Sequence, residues 1–134
     1  MIEKIRKSET KQSKVIFPNV LNDHNTLFGG TAMQWMDEVA YITATRFTKK
    51  KMVTVSTSEI HFRNAVKSGT IAEITGNIIK IGKLKIDIKV EIYVEEMYTE
   101  SKFLAADAIF TFVAIDNENK AIRMNYDELL VHIT

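Results

Sequence analysis

The sequence predicts an α+β domain in which one long helix is wrapped by a curved antiparallel sheet. Three observations carry this prediction. Residues 30–48 show the apolar spacing of a helix, and four long strand-like segments follow them along the chain. One of these segments, residues 84–94, alternates strictly between apolar and charged or polar side chains, which is typical of an antiparallel strand with one solvated face. A sheet of such long strands is expected to curve around the single helix.

The composition is that of one ordinary globular domain spanning residues 1–134. The chain is 46% hydrophobic and 26% charged, with a formal net charge of +1, so neither a nucleic-acid nor a membrane partner is expected. The absence of cysteine excludes disulfides, thiolate metal sites and a cysteine nucleophile. No apolar run approaches the roughly 18 residues of a membrane span. The charged N-terminal stretch lacks the apolar centre of a secretory signal, so we expect a cytoplasmic protein.

The N-terminal quarter contains the elements that lead into the helix. Residues 1–13 are predicted to be a polar, loosely ordered lead-in, and residues 14–17 (KVIF) a short strand that ends at Pro18, the only proline. A loop then runs to Gly30, where the helix begins. Three consecutive lysines, residues 49–51, close the helix in a position that favours its negative dipole end.

The helix itself is apolar over more than half of its circumference. Such a helix needs cover on more than one side, so a partner helix from a second subunit is expected beside the sheet. At 100° per residue, Asp37 lies at the edge of the apolar arc and Glu38 in the middle of the polar face. Glu38 is therefore expected to be solvated, whereas a partly desolvated Asp37 would be the better base.

The remaining elements are strands. Residues 52–62 (MVTVSTSEIHF) change the phase of their apolar side chains, which predicts a bulge or bend near Thr57. Residues 70–81, 84–95 and 103–116 are predicted as three further strands, and residues 125–133 (NYDELLVHI) as a terminal turn of helix.

The segment NDHNTLFGG, residues 22–30, places two glycines at the start of the helix. Gly29 and Gly30 leave the first helical N–H groups uncrowded, so a ligand oxygen bearing negative charge could bind there. A plain N-cap, formed by a glycine or by Thr31, explains the same residues equally well. Asp37 lies about two turns further on, roughly 10 Å along the axis. Because one chain could not direct Gly30 and Asp37 at one carbonyl group, an active site using both would span a dimer interface.

The segments PNVLNDHNTLFGGTAMQWMDEVA, VTVSTSEIHFRNAVKSG, IGKLKIDIKVEIYVE and AIFTFVAID together give a resemblance to a known family. The chain resembles the acyl-CoA thioesterases of the hotdog superfamily, most closely the bacterial and cytosolic acyl-CoA hydrolase group. The similarity covers residues from about 17 to 116 in matching order. It implies the hotdog fold, with two subunits joining their sheets and setting their helices side by side, and further assembly into a hexamer as a trimer of dimers.

The resemblance also implies the site residues. The family's catalytic aspartate falls on Asp37, its loop asparagine on Asn22, and its thioester-binding backbone N–H on Gly30. Gly29 would shape the approach to that N–H, and the strand residue that helps to position water falls near Ser56. Asp37 of the facing subunit would either activate a water molecule or attack the thioester to form a mixed anhydride. The products would be a carboxylic acid and CoA, and no metal or cofactor is required.

Binding of the CoA portion is implied for residues outside the helix. Arg63, Lys67, Gly82 and Lys83 are the candidates, although lysines on a surface are usually only solvated.

One departure from the family pattern affects the loop. Asn25 stands where glycine is usual, and asparagine is the residue next best suited to a left-handed backbone.

Three other interpretations remain. The three histidines share no ligand spacing, which argues against metal-dependent hydrolysis; the histidine at position 24 is more easily explained as a turn residue than as a base. A non-catalytic acyl-CoA binder is the main alternative function, but binding alone requires neither Asp37 nor Asn22. A purely structural interaction module would leave the polar loop and the glycine pair without a purpose.

Overall fold

A computed structural model describes residues 1–125 and confirms the α+β prediction: a long helix packs against a curled antiparallel sheet. Two helices and seven strands form along this part of the chain, with a short 3-10 turn at Pro18–Val20. They are α1 (Ile2–Ser8), β1 (Thr10–Val15), α2 (Gly29–Thr48), β2 (Met52–Thr57), β3 (His61–Phe62), β4 (Thr70–Ile81), β5 (Lys85–Glu96), β6 (Lys102–Ile115) and β7 (Ala121–Ile122). The order across the sheet is β1-β4-β5-β6-β2, and β3 and β7 also pair with β6.

The predicted long helix is confirmed as α2, which begins at Gly29, one residue earlier than expected. It ends where Lys49 adopts a left-handed conformation with φ 55° and donates its N–H to the carbonyl of Thr45 at 2.8 Å. The terminal helical turn predicted for residues 125–133 falls, apart from its first residue, outside the described residues. No helix within residues 1–125 has the length and apolarity required to cross a membrane.

The N-terminal segment differs from the prediction. Residues 1–13 are not a loose lead-in, because α1 packs on α2 and β1 pairs with β4 from Thr10 to Val15. Two short polar side chains of this segment, Ser8 and Thr10, are buried and hydrogen-bonded instead of solvated. Thr43 of α2 donates to the hydroxyl of Thr10 at 2.9 Å. A hydropathy pattern cannot distinguish such buried, hydrogen-bonded hydroxyls from solvated ones.

The core lies between α2 and the three long strands. The alternation predicted for residues 84–94 is confirmed in β5, where every second side chain is buried against the helix. The large buried side chains include Met36, Val39, Phe47, Ile74, Ile86, Ile88, Ile92 and Phe112. On the opposite face the strands carry polar side chains, such as Lys102 and Glu73 with 3.7 Å between their charged atoms. The sheet therefore has one apolar and one wet face.

The bulge predicted near Thr57 is present, but it lies earlier in β2. The register against β6 shifts between Thr54 and Ser56, which leaves Val55 as the extra residue. Thr54 pairs with Phe112 and Ser56 pairs with Thr111, two neighbours that face opposite sides of the sheet. Thr54 therefore faces the helix, and Ser56 does not.

Candidate active site

A closed polar loop precedes α2. Leu21 and Leu27 form a β-bridge across its base, and the N–H of Asn22 donates to the carbonyl of Thr26 at 2.8 Å. Asn25 has φ 66°, so it adopts the left-handed conformation that the sequence predicts for it. The loop is therefore a compact turn that ends next to the N-terminus of α2.

The side chain of Asn22 lies inside this turn. Its Oδ1 accepts hydrogen bonds from the backbone N–H groups of Thr26 at 3.0 Å and His24 at 3.2 Å. Its Nδ2 donates to the hydroxyl of Thr26 at 3.0 Å. His24 is thus a turn residue, as the sequence favours, with its ring exposed beside Asp23.

The helix begins without a side-chain cap. Phe28 occupies the N-cap position, and its side chain makes no capping hydrogen bond. Thr31 lies inside the first turn, so it is not the N-cap that the sequence allowed. The first backbone bond of the helix joins the N–H of Ala32 to the carbonyl of Phe28 at 3.1 Å. A Cβ atom at Gly30 would lie 2.7 Å from the Phe28 ring. Gly30 is exposed, and its missing Cβ leaves room for that ring; because no side chain caps the first turn, the positive end of α2 stays uncapped.

Asp37 and Glu38 differ as their predicted places on the helix require. Asp37 is partly buried, and its Oδ1 accepts a hydrogen bond of 2.8 Å from the hydroxyl of Thr54 on β2. Glu38 is exposed and lies 3.4 Å from the side chain of Gln34. The carboxylate of Asp37 is therefore held in one orientation by the sheet.

Thr54 was not found by sequence reasoning, which placed the strand partner near Ser56. Ser56 is exposed, and the bulge at Val55 turns it to the other face of β2. The phase switch in residues 52–62 was a sufficient signal to find Thr54, provided that the bulge was placed before Ser56 and not after it.

A cavity of about 310 Å³ opens next to the start of the helix. It lies between the polar loop, the first turn of α2, and strands β3 and β6. Its walls are mostly small or apolar; they include Thr26, Leu27, Gly29, Ala32, Phe62, Val66, Ala105 and Ala106. A slender, largely apolar group could therefore reach the N-terminal end of α2.

The predicted CoA-binding residues are not brought together within one subunit. Arg63 forms a two-pronged ion pair with Asp107, with both nitrogen–oxygen distances 3.1 Å, so its charge is already compensated. Lys67 precedes β4 and Lys83 follows it, so the whole strand, roughly 40 Å of extended chain, separates them. Gly82 makes the tight turn between β4 and β5, where its N–H donates to the carbonyl of Lys85 at 2.8 Å.

Gly30 and Asp37 lie on the same helix, about two turns or roughly 10 Å apart. One subunit therefore presents an open helix end and an oriented carboxylate, but not at the same point. Within residues 1–125, no group of three or more histidine, aspartate and glutamate side chains is placed to hold a metal ion.

Comparison with known proteins agrees with this geometry. Residues 24–101 match the model of the thioesterase superfamily. An uncharacterized acyl-CoA thioester hydrolase of Bacillus subtilis is 30% identical, over 92% of this chain and 78% of the relative. A Staphylococcus aureus acyl-CoA hydrolase, solved with butyryl-CoA, CoA and CoA disulfide, superposes with a TM-score of 0.84 at 32% identity, covering 90% of this chain and 73% of that one.

A hexameric thioesterase of Yersinia pestis also has this fold. It superposes with a TM-score of 0.78 at 27% identity, covering 85% of this chain and 93% of that one. The matched family model spans more than half of the chain and includes the helix start, Asp37 and Thr54. This protein therefore belongs to the thioesterase superfamily of hotdog-fold enzymes, in the group of acyl-CoA thioester hydrolases.

Proposed function

We propose that this protein hydrolyses acyl-CoA thioesters at a site formed between two subunits, with Asp37 as general base or nucleophile. The observation that carries the proposal is the 2.8 Å hydrogen bond by which Thr54 orients the partly buried carboxylate of Asp37. A surface carboxylate needs no such partner, whereas a catalytic one must be held in a productive orientation.

The Staphylococcus aureus hydrolase supports the choice of residues. Solved variants of that enzyme replace an aspartate, an asparagine and a threonine by alanine. The three replaced positions have the same spacing along that chain as Asn22, Asp37 and Thr54 have in this one. The strand residue of the proposed site is therefore Thr54.

Exposed apolar side chains support a second subunit beside α2. Phe28, Met33 and Tyr41 on or next to the helix are 56%, 44% and 47% exposed, and Val53 and Val55 are exposed on β2, the edge strand of the sheet. Such a surface is typical of an interface. Two helices packed antiparallel across it would place Gly30 of one subunit opposite Asp37 of the partner subunit, and three such dimers would form a hexamer.

The proposed reaction begins with the thioester carbonyl at the open end of α2. The N–H of Gly30 and the helix dipole stabilise the negative charge that develops on the carbonyl oxygen. Asp37 of the partner subunit removes a proton from a water molecule, which attacks the carbonyl carbon. The carbon–sulfur bond then breaks, the proton passes to the sulfur, and a carboxylic acid and CoA leave.

A covalent route uses the same geometry. Asp37 attacks the carbonyl carbon directly, CoA leaves as the thiolate, and water hydrolyses the resulting anhydride. Both routes proceed without a metal ion or another cofactor. Contacts of CoA with Gly29, Ser56, Arg63, Lys67, Gly82 and Lys83 stay predictions, as does a cytoplasmic location.

The test is thiol release from acyl-CoAs of increasing chain length, measured for the wild type, Asp37→Ala and the control Glu38→Gln. We expect Asp37→Ala to lose at least about 10²-fold in kcat, the lower end for a general base. Glu38→Gln should keep wild-type activity because Glu38 is solvated. Equal activity of Asp37→Ala and wild type would refute the role of Asp37, and a wild type that binds acyl-CoA without releasing thiol would be a binder.

A further inference from the structure

We propose that Thr26 is a positioning residue that fixes the carboxamide of Asn22, so that Asn22 serves the reaction as a hydrogen-bond donor. The inference rests on the proposed function and deepens it. It specifies which end of the Asn22 side chain meets the reactants and which residue holds that end in place.

The surroundings of Asn22 determine the orientation of its amide. The oxygen and nitrogen of an asparagine side chain have nearly the same shape, so hydrogen-bond partners must distinguish them. One end of this side chain receives two backbone N–H groups, from Thr26 at 3.0 Å and His24 at 3.2 Å. A backbone N–H can only donate, so this end is the oxygen.

Oδ1 of Asn22 is therefore fully engaged in hydrogen bonds within the turn. Its two lone pairs match the two backbone donors. At the other end, one N–H of Nδ2 donates to the hydroxyl of Thr26 at 3.0 Å. The second N–H has no hydrogen-bond partner among residues 1–125. Asn22 can thus donate a hydrogen bond to a thioester carbonyl or to the oxygen of the attacking water, but it has no lone pair left to accept one from that water.

Thr26 contacts Asn22 through three of its polar groups. Its backbone N–H and carbonyl close the turn, the carbonyl accepting from the N–H of Asn22 at 2.8 Å. Its hydroxyl accepts a hydrogen bond from Nδ2 at 3.0 Å and donates a longer one to Oδ1 at 3.3 Å. Thr26 also lines the cavity at the start of α2 together with Gly29. The hydroxyl of Thr26 is therefore the side-chain group that sets the direction of the donor beside the open helix end.

The first test is Asn22→Asp. A carboxylate oxygen still accepts both backbone N–H groups, so the turn and the melting temperature should be preserved, but no donor remains. We expect kcat for thiol release to fall by about 10²-fold or more, as when an oxyanion donor is removed. An Asn22→Asp variant with wild-type kcat would overturn the donor role.

The second test removes the positioning hydroxyl without adding charge. Thr26→Val keeps the backbone bonds and the shape of the side chain, and Thr26→Ser keeps the hydroxyl. We expect Thr26→Val to lower kcat about tenfold, the value of one hydrogen bond, with KM changed less than about threefold. Thr26→Ser should restore kcat. Equal kcat in the two variants, or a parallel loss in both, would refute the positioning role.

A structural readout separates this inference from the proposed function. Crystal structures of the two Thr26 variants should show Oδ1 of Asn22 still bonded to its two backbone N–H groups in both, with Nδ2 displaced in Thr26→Val and unchanged in Thr26→Ser. An unchanged Asn22 in Thr26→Val overturns the inference, whatever the activity. A wild type that releases no thiol would instead refute the proposed function, and the crystal structures would still decide the role of Thr26.

Discussion

The hydroxyl of Thr54, on the sheet, orients the carboxylate of Asp37, on the helix. Asp37 stands at the edge of the apolar face of α2, where a carboxylate loses part of its water. Thr54 replaces some of that water with a hydrogen bond of 2.8 Å to Oδ1. Oδ2 is left for a water molecule or a thioester, so the two oxygens of one carboxylate have separate tasks.

Replacement of Thr54 by valine should therefore reduce catalysis without unfolding the protein. Thr54→Val keeps the shape and the strand preference of the side chain but removes the donor. A hydrogen bond to a charged group is worth about 1.5–3 kcal/mol, which corresponds to a loss of roughly 10- to 150-fold in kcat/KM. Thiol-release kinetics should show this loss for Thr54→Val and near-normal values for Thr54→Ser. Thr57→Val, an exposed site on the same strand, is the control; an equal loss there would attribute the effect to β2 as a whole.

At the scale of elements, the contact between α2 and β4 determines how closely the helix approaches the sheet. Gly76 of β4 lies against the helix, and a Cβ atom there would be 2.6 Å from the Thr43 hydroxyl oxygen and 3.0 Å from a Val39 methyl carbon. Thr43 is buried and also contacts Thr10 of β1. One glycine thus allows the helix, the N-terminal strand and the middle of the sheet to meet.

The variant Gly76→Ala should destabilise the fold by about 1–3 kcal/mol, the usual cost of overpacking a core. The cost should fall in a Thr43→Ala background, because the nearest clashing atom is then absent. Urea unfolding of the wild type, both single variants and the double variant measures this coupling. An identical cost of Gly76→Ala in the two backgrounds would show that Thr43 does not limit the approach.

On the scale of the whole molecule, the proposed site requires two chains. Each subunit offers an uncapped helix end that follows the loop of Asn22 and Thr26 and, about two turns away, the carboxylate of Asp37. A two-fold interface pairs the first group of one subunit with the second group of the partner. Each dimer would then contain two equivalent sites.

Complementation between two inactive variants tests this arrangement. Asn22→Asp and Asp37→Ala impair different halves of the shared site, so a mixed dimer keeps one intact site of its two. An equal mixture assembled from refolded or co-expressed chains should recover about a quarter of wild-type thiol release, since half of the dimers are mixed. Each variant by itself should release thiol at least about 10²-fold more slowly than the wild type. A mixture no more active than its components would place both groups of the site in one chain.

Local patterns were enough to predict much of this protein. Helix periodicity located α2 to within one residue, strict alternation located β5, and the order of motifs identified the family. They also indicated a left-handed Asn25 and a solvated Glu38, because these properties depend on neighbours in sequence.

Only the tertiary structure decided where polar side chains of distant segments meet. From the sequence alone Thr10 is expected to be solvated, but in the fold it is hydrogen-bonded to Thr43. Thr54 is the partner of Asp37 because the bulge at Val55 turns Ser56 to the other face of β2. The direction of the Asn22 amide likewise depends on the donors that the folded loop brings together. Such contacts depend on strand register and on how distant segments pack together. Hydropathy and spacing along the chain do not specify either of these.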